Sequence, residues 1–260
     1  CDKTDRDEDI ETLTARENAL AYHLFDDAFR EMHRVAMRDS LLNDTGIGQW
    51  FNGCIKRATV SDTVAVFPLN LTINYGDARE ICDDGFTRFG IIRATFSGKY
   101  LNKGTSVEVT FENYEKDFYK ISGTSTLTNL GLNSDGYITY SWIVEDALIK
   151  GINTNIEWEG KHTRTWVAGR SKESQGLVDD DVFQISGVAS GRNSRGNTFT
   201  NEITQIYVSD LSCQWFPTGR SELNIPNLEL RTINYDTGDS CNNTFYERRN
   251  NTYFVVEIPF

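Results

Sequence analysis

The chain has 260 residues, of which 26 are basic and 38 acidic, and its formal net charge is −12. This length suits one large domain or two small ones. A hydrophobic share of 38% and an aromatic share of 12% supply a core, which excludes a wholly disordered chain. The acidic balance argues against nucleic acid as the main partner, because phosphate binding needs clustered Lys and Arg.

The N-terminal segment carries the features of a lipid-anchored exported protein. Cys1 is followed by six acidic residues within the first eleven positions. A leading cysteine is typical of a bacterial lipoprotein after removal of its signal peptide, and the sequence shows no apolar run long enough to span a bilayer. We therefore expect lipidation at Cys1, an acidic tether over residues 1–12, and a membrane partner through the lipid. A cut at an arbitrary cysteine and a plain hydrophilic spacer are the alternatives.

A single strong helical pattern follows the tether, and we assign residues 13–44 to one amphipathic helix. Its apolar residues recur at spacings of 3 or 4: Tyr22, Phe25, Phe29, Met32 and Ala36. His23 and His33 lie on this helix ten residues apart, whereas paired metal ligands on a helix need i, i+3 or i+4 spacing. We therefore expect both histidines to lie at the surface or at its boundary.

From Trp50 onward the hydrophobic period changes to two, which is typical of antiparallel strands with one buried face. One such strand places Tyr140 and Trp142 on the same face. Turn sequences ending in glycine separate the strands at 102–104, 133–136 and 193–196. We predict a mainly β fold, an antiparallel meander that forms a sandwich or a curved sheet, as a single domain over residues 45–260.

The β region contains an internal repeat. The tetrapeptide Thr-Ile-Asn-Tyr occurs at 72–75 and again at 232–235, in two modules that we bound at 54–96 and 213–258. Each module has two cysteines 28 residues apart: Cys54 and Cys82, then Cys213 and Cys241. As a hypothesis, we place the two Thr-Ile-Asn-Tyr strands near each other, in a pseudo-twofold arrangement.

The simplest disulfide pairing is one bridge within each module, Cys54–Cys82 and Cys213–Cys241. The two crossed pairings of the same four cysteines stay open at the level of sequence. Disulfides indicate an oxidising compartment, in agreement with export. A four-cysteine zinc site would need short Cys-x(2–4)-Cys pairs, and the sequence has none.

Eight short stretches add a further signal: Phe67-Pro68 leading to Thr72–Gly76, Gly85–Gly90, Phe111–Tyr114, Gly123–Asn129, Arg164–Trp166, Asp180–Phe183, Cys213–Trp215 and Thr232–Tyr235. Together they resemble a family of Bacteroidota lipoproteins, and the likeness covers roughly residues 50–260. It implies a mainly β protein that is exported and lipid-anchored at the outer membrane, and it implies no activity. The second module departs from the pattern, since Asp236-Thr-Gly238 stands where the first has a single glycine.

Candidate sites for chemistry are few. His162 is the only histidine in the β region, and there we expect it to be hydrogen-bonded or exposed. The pair Trp158 and Trp166 flanks a polar turn and is the candidate glycan-binding platform, with core packing as the alternative. Asp179, Asp180 and Asp181 form a weak calcium candidate, which a solvated acidic turn also explains. A glycosidase needs two carboxyl groups roughly 5–9.5 Å apart, and sequence alone cannot select such a pair.

These observations lead to a functional hypothesis. We expect a lipid-anchored outer-membrane protein, facing the cell exterior, that acts without catalysis as an interaction or accessory subunit of an envelope complex. Its expected partner is an outer-membrane protein, with no nucleic acid and no cofactor. A surface glycan-binding protein is the alternative, and a glycan hydrolase is the second alternative.

Overall fold

The computed structural model describes residues 11–44, 53–169, 180–238 and 241–260. Within them, one helix, α1 (Leu13–Arg38), precedes fourteen strands. The strands are β1 (Arg57–Val60), β2 (Leu69–Ile81), β3 (Thr87–Phe96), β4 (Ser106–Lys116), β5 (Tyr119–Leu132), β6 (Ile138–Gly151), β7 (Thr154–Ala168), β8 (Val182–Arg192), β9 (Thr198–Gln205), β10 (Tyr207–Asp210), β11 (Arg220–Asn224), β12 (Arg231–Asn234), β13 (Thr244–Arg249) and β14 (Thr252–Glu257).

All fourteen strands belong to one antiparallel sheet, in which chain neighbours pair from β1 to β9 and β9 then pairs with β11. Strand β10 lies off this path and pairs with β8. The path continues to β14, and no hydrogen-bonded pairing joins β1 to β14 in the described part of the chain. The prediction of a mainly β antiparallel meander with one N-terminal helix is confirmed, in its curved-sheet form.

The sheet curves around α1. Side chains alternate along each strand, so that in β7 Trp158, His162 and Arg164 point inward while Glu159 and Lys161 are exposed. The helix is buried along 22 of its 26 residues, charged ones included. The expectation that His23 and His33 lie at the surface is therefore wrong, because strands cover the polar faces of the helix as well as its apolar face.

The helix begins at Leu13, as predicted, but ends at Arg38 rather than at residue 44. Asp39 explains the early end, since its Oδ1 accepts hydrogen bonds from the backbone N–H groups of Leu41 and Leu42, at 2.8 and 3.3 Å. An aspartate that bonds the backbone just after it favours a turn over continued helix.

The disulfides join Cys54 to Cys82 and Cys213 to Cys241, which confirms the pairing within modules. The two Thr-Ile-Asn-Tyr strands do not pair with each other, since β2 is second and β12 eleventh in the order of the sheet. The modules meet elsewhere. Trp215, beside one disulfide, lies 6.0 Å from the ring of Phe86, beside the other, and 5.3 Å from Phe260.

Candidate functional site

The interior of the molecule contains a network of ion pairs between α1 and the sheet. Asp26 accepts hydrogen bonds from Arg30 one turn along the helix at 2.7 Å, from Arg164 of β7 at 2.6 Å and from Ser209 of β10. Burial opposes the charge of Asp26, but the two guanidinium groups outweigh burial and lower the pKa of this carboxyl group to about 2. The carboxylate therefore ties the helix to two strands.

A second ionic cluster surrounds the next helical residue, Asp27. Its carboxylate accepts from Arg88 of β3 at 2.6 Å and from Lys116 of β4 at 2.8 Å. The ammonium group of Lys116 also lies 3.0 Å from Nε2 of His23 and 4.0 Å from the centre of the Phe86 ring. Burial lowers the pKa of Lys116, and burial with the nearby ammonium lowers that of His23. A neutral His23 can accept a hydrogen bond from Lys116.

The other two histidines are also buried and hydrogen-bonded. His33 lies 2.8 Å from Asp181 through Nε2 and 2.8 Å from the hydroxyl of Tyr100 through Nδ1. His162 lies 2.8 Å from the hydroxyl of Tyr22, and burial lowers its pKa to about 3. These hydrogen bonds connect α1 to the residues that surround it.

The tryptophan pair is not a glycan platform, because both side chains are buried. The Trp158 N–H donates to the side chain of Asn18 at 3.0 Å, and the Trp166 N–H donates to the backbone of Ala168 at 2.7 Å and to Asp181 at 3.1 Å. Stacking on a sugar requires an exposed ring face, and the rings here pack against α1 and β8. The alternative of core packing is the one observed.

The calcium candidate also loses Asp181, the last of its three aspartates. Asp181 is buried and is held by His33 and Trp166, while Asp180 is exposed and Asp179 lies outside the described residues. Over the ranges that the structure covers, no group of three His, Cys, Asp or Glu side chains has the arrangement of a metal site. Cys1 also lies outside the described residues, and none of the helices described is long and apolar enough to cross a membrane.

The candidate functional site is a groove on the face of the sheet that points away from α1. It has a volume of about 710 Å³ and crosses β6, β7, β8, β9 and β11. We call it the outer groove. Its charged lining consists of five acidic side chains and one basic side chain: Glu145, Asp146, Glu159, Glu202, Glu222 and Lys161. Exposed Val188 and Leu230 add apolar surface.

Strand register positions these groups. Glu202 of β9 stands directly opposite Glu222 of β11, and on its other side it faces Val188 of β8. Residues directly opposite on antiparallel strands have Cβ atoms about 4.5–5.5 Å apart, and a facing pair of like charges destabilises the sheet. At one side of the groove Asp146 has a φ of 52°, where the pairing of β6 with β7 shifts register. The groove can therefore attract a cation or a positively charged segment.

Comparisons of this chain with protein-family models, with curated proteins and with solved structures find no match.

Sequence reasoning missed both the buried ionic network and the outer groove. A signal for the network was present, since Arg164 shares a strand face with Trp166, which puts a charge on a face that must be buried. The groove left no comparable signal. Its acidic residues come from four strands and a bulge, and only the register of the sheet brings them together.

Proposed function

We propose that this chain is an exported outer-membrane lipoprotein, anchored through Cys1 and facing the cell exterior. It acts without catalysis as an interaction subunit of an envelope complex. Its outer groove binds a basic, partly apolar segment of a protein partner. The two disulfides agree with an oxidising compartment, and hence with export.

One observation carries the binding proposal, namely the position and charge of the outer groove. The helix fills the inner side of the sheet, whereas the groove is open to solvent and holds five acidic side chains against one lysine. A Lys or Arg from a partner would relieve the repulsion between Glu202 and Glu222, and apolar contacts would form with Val188 and Leu230. These features favour a cationic peptide segment.

The same groove bears on the hydrolase alternative, because Glu202 and Glu222 face each other across neighbouring strands. Both side chains are exposed. A glycosidase needs a carboxyl group that stays protonated near neutral pH, which burial ordinarily provides. The exposure of this pair favours binding over catalysis. The glycan alternative no longer has the two tryptophans as its platform, since both are buried.

Charge reversal in the groove tests the binding proposal. We expect the purified protein to bind synthetic peptides that alternate Lys or Arg with apolar residues, and to ignore the same peptides with Glu in place of the basic residues. Glu222→Lys should weaken binding about tenfold or more, since a close charge pair contributes at least about 1.5 kcal/mol. Glu108→Lys, an exposed position on β4 outside the groove, makes the same change in net charge and serves as the control.

Titration calorimetry at two salt concentrations measures the affinity of each variant for the peptide. Equal weakening by Glu222→Lys and Glu108→Lys would mean that only net charge attracts the peptide, and would reject the groove as the site. Lipidation is tested separately, by incorporation of a labelled fatty acid into the protein expressed in a Bacteroidota host. A Cys1→Ser variant should lose the label, and a labelled Cys1→Ser variant would reject the anchor.

A further inference from the structure

One rim of the curved sheet carries exposed apolar side chains at three successive turns. Ile81 ends β2 and is 75% exposed, Phe118 lies in the turn between β4 and β5 and is 58% exposed, and Ile152 lies in the turn between β6 and β7 and is 83% exposed. We call these three residues the apolar rim. Single exposed apolar residues are common, but three at neighbouring turn tips form a localised feature.

Hydrogen bonds and register show that the turns are adjacent. The side chain of Asp117, beside Phe118, accepts from the backbone N–H of Thr87 at 2.6 Å, which joins the first turn to the second. Lys120 of β5 stands opposite Lys150 of β6, which joins the second turn to the third. Both lysines are exposed, so a pair of positive charges lies directly behind the apolar tips.

The helix begins at this same rim. The backbone N–H of Asn155, at the start of β7, donates to the hydroxyl of Ser194 at 2.8 Å, and that hydroxyl donates to Glu17 of α1 at 2.6 Å. Ten residues connect Cys1 to Glu11, and a chain of that length reaches at most about 36 Å. Strand β5, which runs from this rim to the opposite one, has 14 residues, about 45 Å of extended chain, and is therefore longer than the tether.

We propose that the apolar rim is a membrane-docking surface, which rests on the proposed lipid anchor at Cys1. Phe118 and Ile152 enter the interfacial region of the bilayer, and Lys120 and Lys150 contact lipid phosphates. Aromatic and apolar side chains next to lysines are typical of such surfaces. The folded domain is then oriented with this rim at the membrane, and the turns at the opposite end of the sheet point away from the membrane.

The backbone at Phe118 supports a role beyond folding. Asp117 and Phe118 form a two-residue hairpin turn with φ values of 44° and 70°. Turns of this kind favour Asn-Gly or Asp-Gly, and a bulky residue at positive φ is strained. The Phe118 side chain is nevertheless exposed, and the guanidinium of Arg79 lies 4.7 Å from its ring centre. A bilayer contact accounts for an aromatic residue held in a costly conformation.

The test anchors the protein artificially, so that it does not depend on lipidation in the cell. Cys1 is the one cysteine outside the two disulfides, and it can be coupled to maleimide lipid in vesicles of phosphatidylethanolamine and phosphatidylglycerol. Phe118→Trp places a reporter on the rim. Leu132→Trp, at the far end of β5 and at a position 65% exposed, is the matched control. Fluorescence is measured as the difference from the unsubstituted protein, with and without brominated acyl chains.

We expect the Phe118→Trp emission to shift to shorter wavelength on vesicles and to lose intensity with brominated lipid, while the Leu132→Trp emission stays unchanged. Quenching of both reporters, of neither, or of Leu132→Trp alone would overturn the docking surface. Failure of lipidation in the cell would instead reject the proposed anchor and leave this vesicle result unaffected. Circular dichroism of each variant verifies that the fold is retained.

Discussion

At the scale of single residues, the charges of α1 are matched to partners on strands that lie far away in sequence. Asp26 is the clearest case, because it neutralises Arg30 and Arg164 in the interior. Removing one member of a buried ion pair leaves an unpaired buried charge and costs about 3–5 kcal/mol. We therefore expect Asp26→Ala to lower the free energy of unfolding in urea by that amount.

The matched control for this substitution is Asp135→Ala in the exposed turn between β5 and β6. It should change stability by less than about 0.5 kcal/mol, as is usual for surface positions. A loss below about 1 kcal/mol for Asp26→Ala would show that the network contributes little to the fold.

The buried histidines predict a pH dependence of stability. Burial lowers the pKa of His162 from its ordinary value of 6.5 to about 3, so the folded protein keeps this ring neutral while the unfolded chain takes up a proton. Its contribution is complete above pH 6.5 and is lost as the pH falls from 6.5 toward 3, by about 1.4 kcal/mol per pH unit. We expect His162→Gln to reduce the slope of stability against pH by that amount between pH 6 and 4.

Comparing the pH dependence of stability of His162→Gln with that of the unsubstituted protein separates His162 from the other groups that titrate in the same range. Burial raises the pKa of Glu247 to about 7, so that its contribution is lost as the pH rises from 4.5 to 7, with the opposite sign. Subtracting the unfolding free energies of His162→Gln from those of the unsubstituted protein removes the Glu247 contribution. Parallel curves would contradict a neutral, buried His162.

The sequence alone predicts some of these single-residue features. The burial of Trp142 follows from strand alternation and is confirmed, as is the pairing of the cysteines. The partners of the helical charges do not follow, because Arg164 lies 138 residues after Asp26. Only the fold brings such pairs together, and the burial of His33 beside Tyr100 and Asp181 likewise does not follow from its neighbours on the helix.

At the scale of elements, we expect the two disulfides to contribute equally to the free energy of unfolding. Each bridge closes a separation of 28 residues, which corresponds to about 3.5 kcal/mol in the chain-entropy view of disulfides. We expect the double serine variant of either pair to lose stability by about that amount in urea unfolding. A bridge whose removal costs nothing would show that its module is already ordered in the unfolded ensemble.

The turn between β4 and β5 should be more stable without its aromatic residue. Phe118→Gly creates an Asp-Gly turn and removes the strain of a bulky residue at positive φ, for an expected gain of about 1 kcal/mol. Ile152 occupies the next turn of the apolar rim without a positive φ, so Ile152→Gly should give no gain. Thermal unfolding compares the two variants. A loss of stability in Phe118→Gly would contradict the strain.

The sequence predicted that α1 is a helix, but it did not predict that the sheet would bury nearly all of its faces. Apolar spacing located α1 and its start at Leu13, because periodicity reports one buried face. It gave no sign that the other faces are buried too, since Asp26 and Asp27 resemble solvated residues until Arg164 and Arg88 are placed beside them. The end at Arg38 depended on a local hydrogen bond of Asp39, which apolar spacing does not register.

At the scale of the whole molecule, a long antiparallel sheet curves around one helix, which fills the inner side of the sheet. The sequence predicted the meander, but strand alternation alone did not separate a sandwich from a single curved sheet, because both bury one face of every strand. The central helix decides between them, since it supplies the second layer against which the sheet packs. Under our two proposals, binding takes place at the outer groove and, at one end of the sheet, at the apolar rim.

Site-specific photocrosslinking in native membranes tests the binding role of the outer groove most directly. A photoreactive amino acid at Val188 lies inside the groove, and one at Tyr137 lies at an exposed turn outside it. We predict one specific crosslinked protein from position 188 that is absent from position 137 and is lost when Glu222→Lys is added. The same product from both positions, or a product at 188 that persists with Glu222→Lys, would contradict partner binding in the groove.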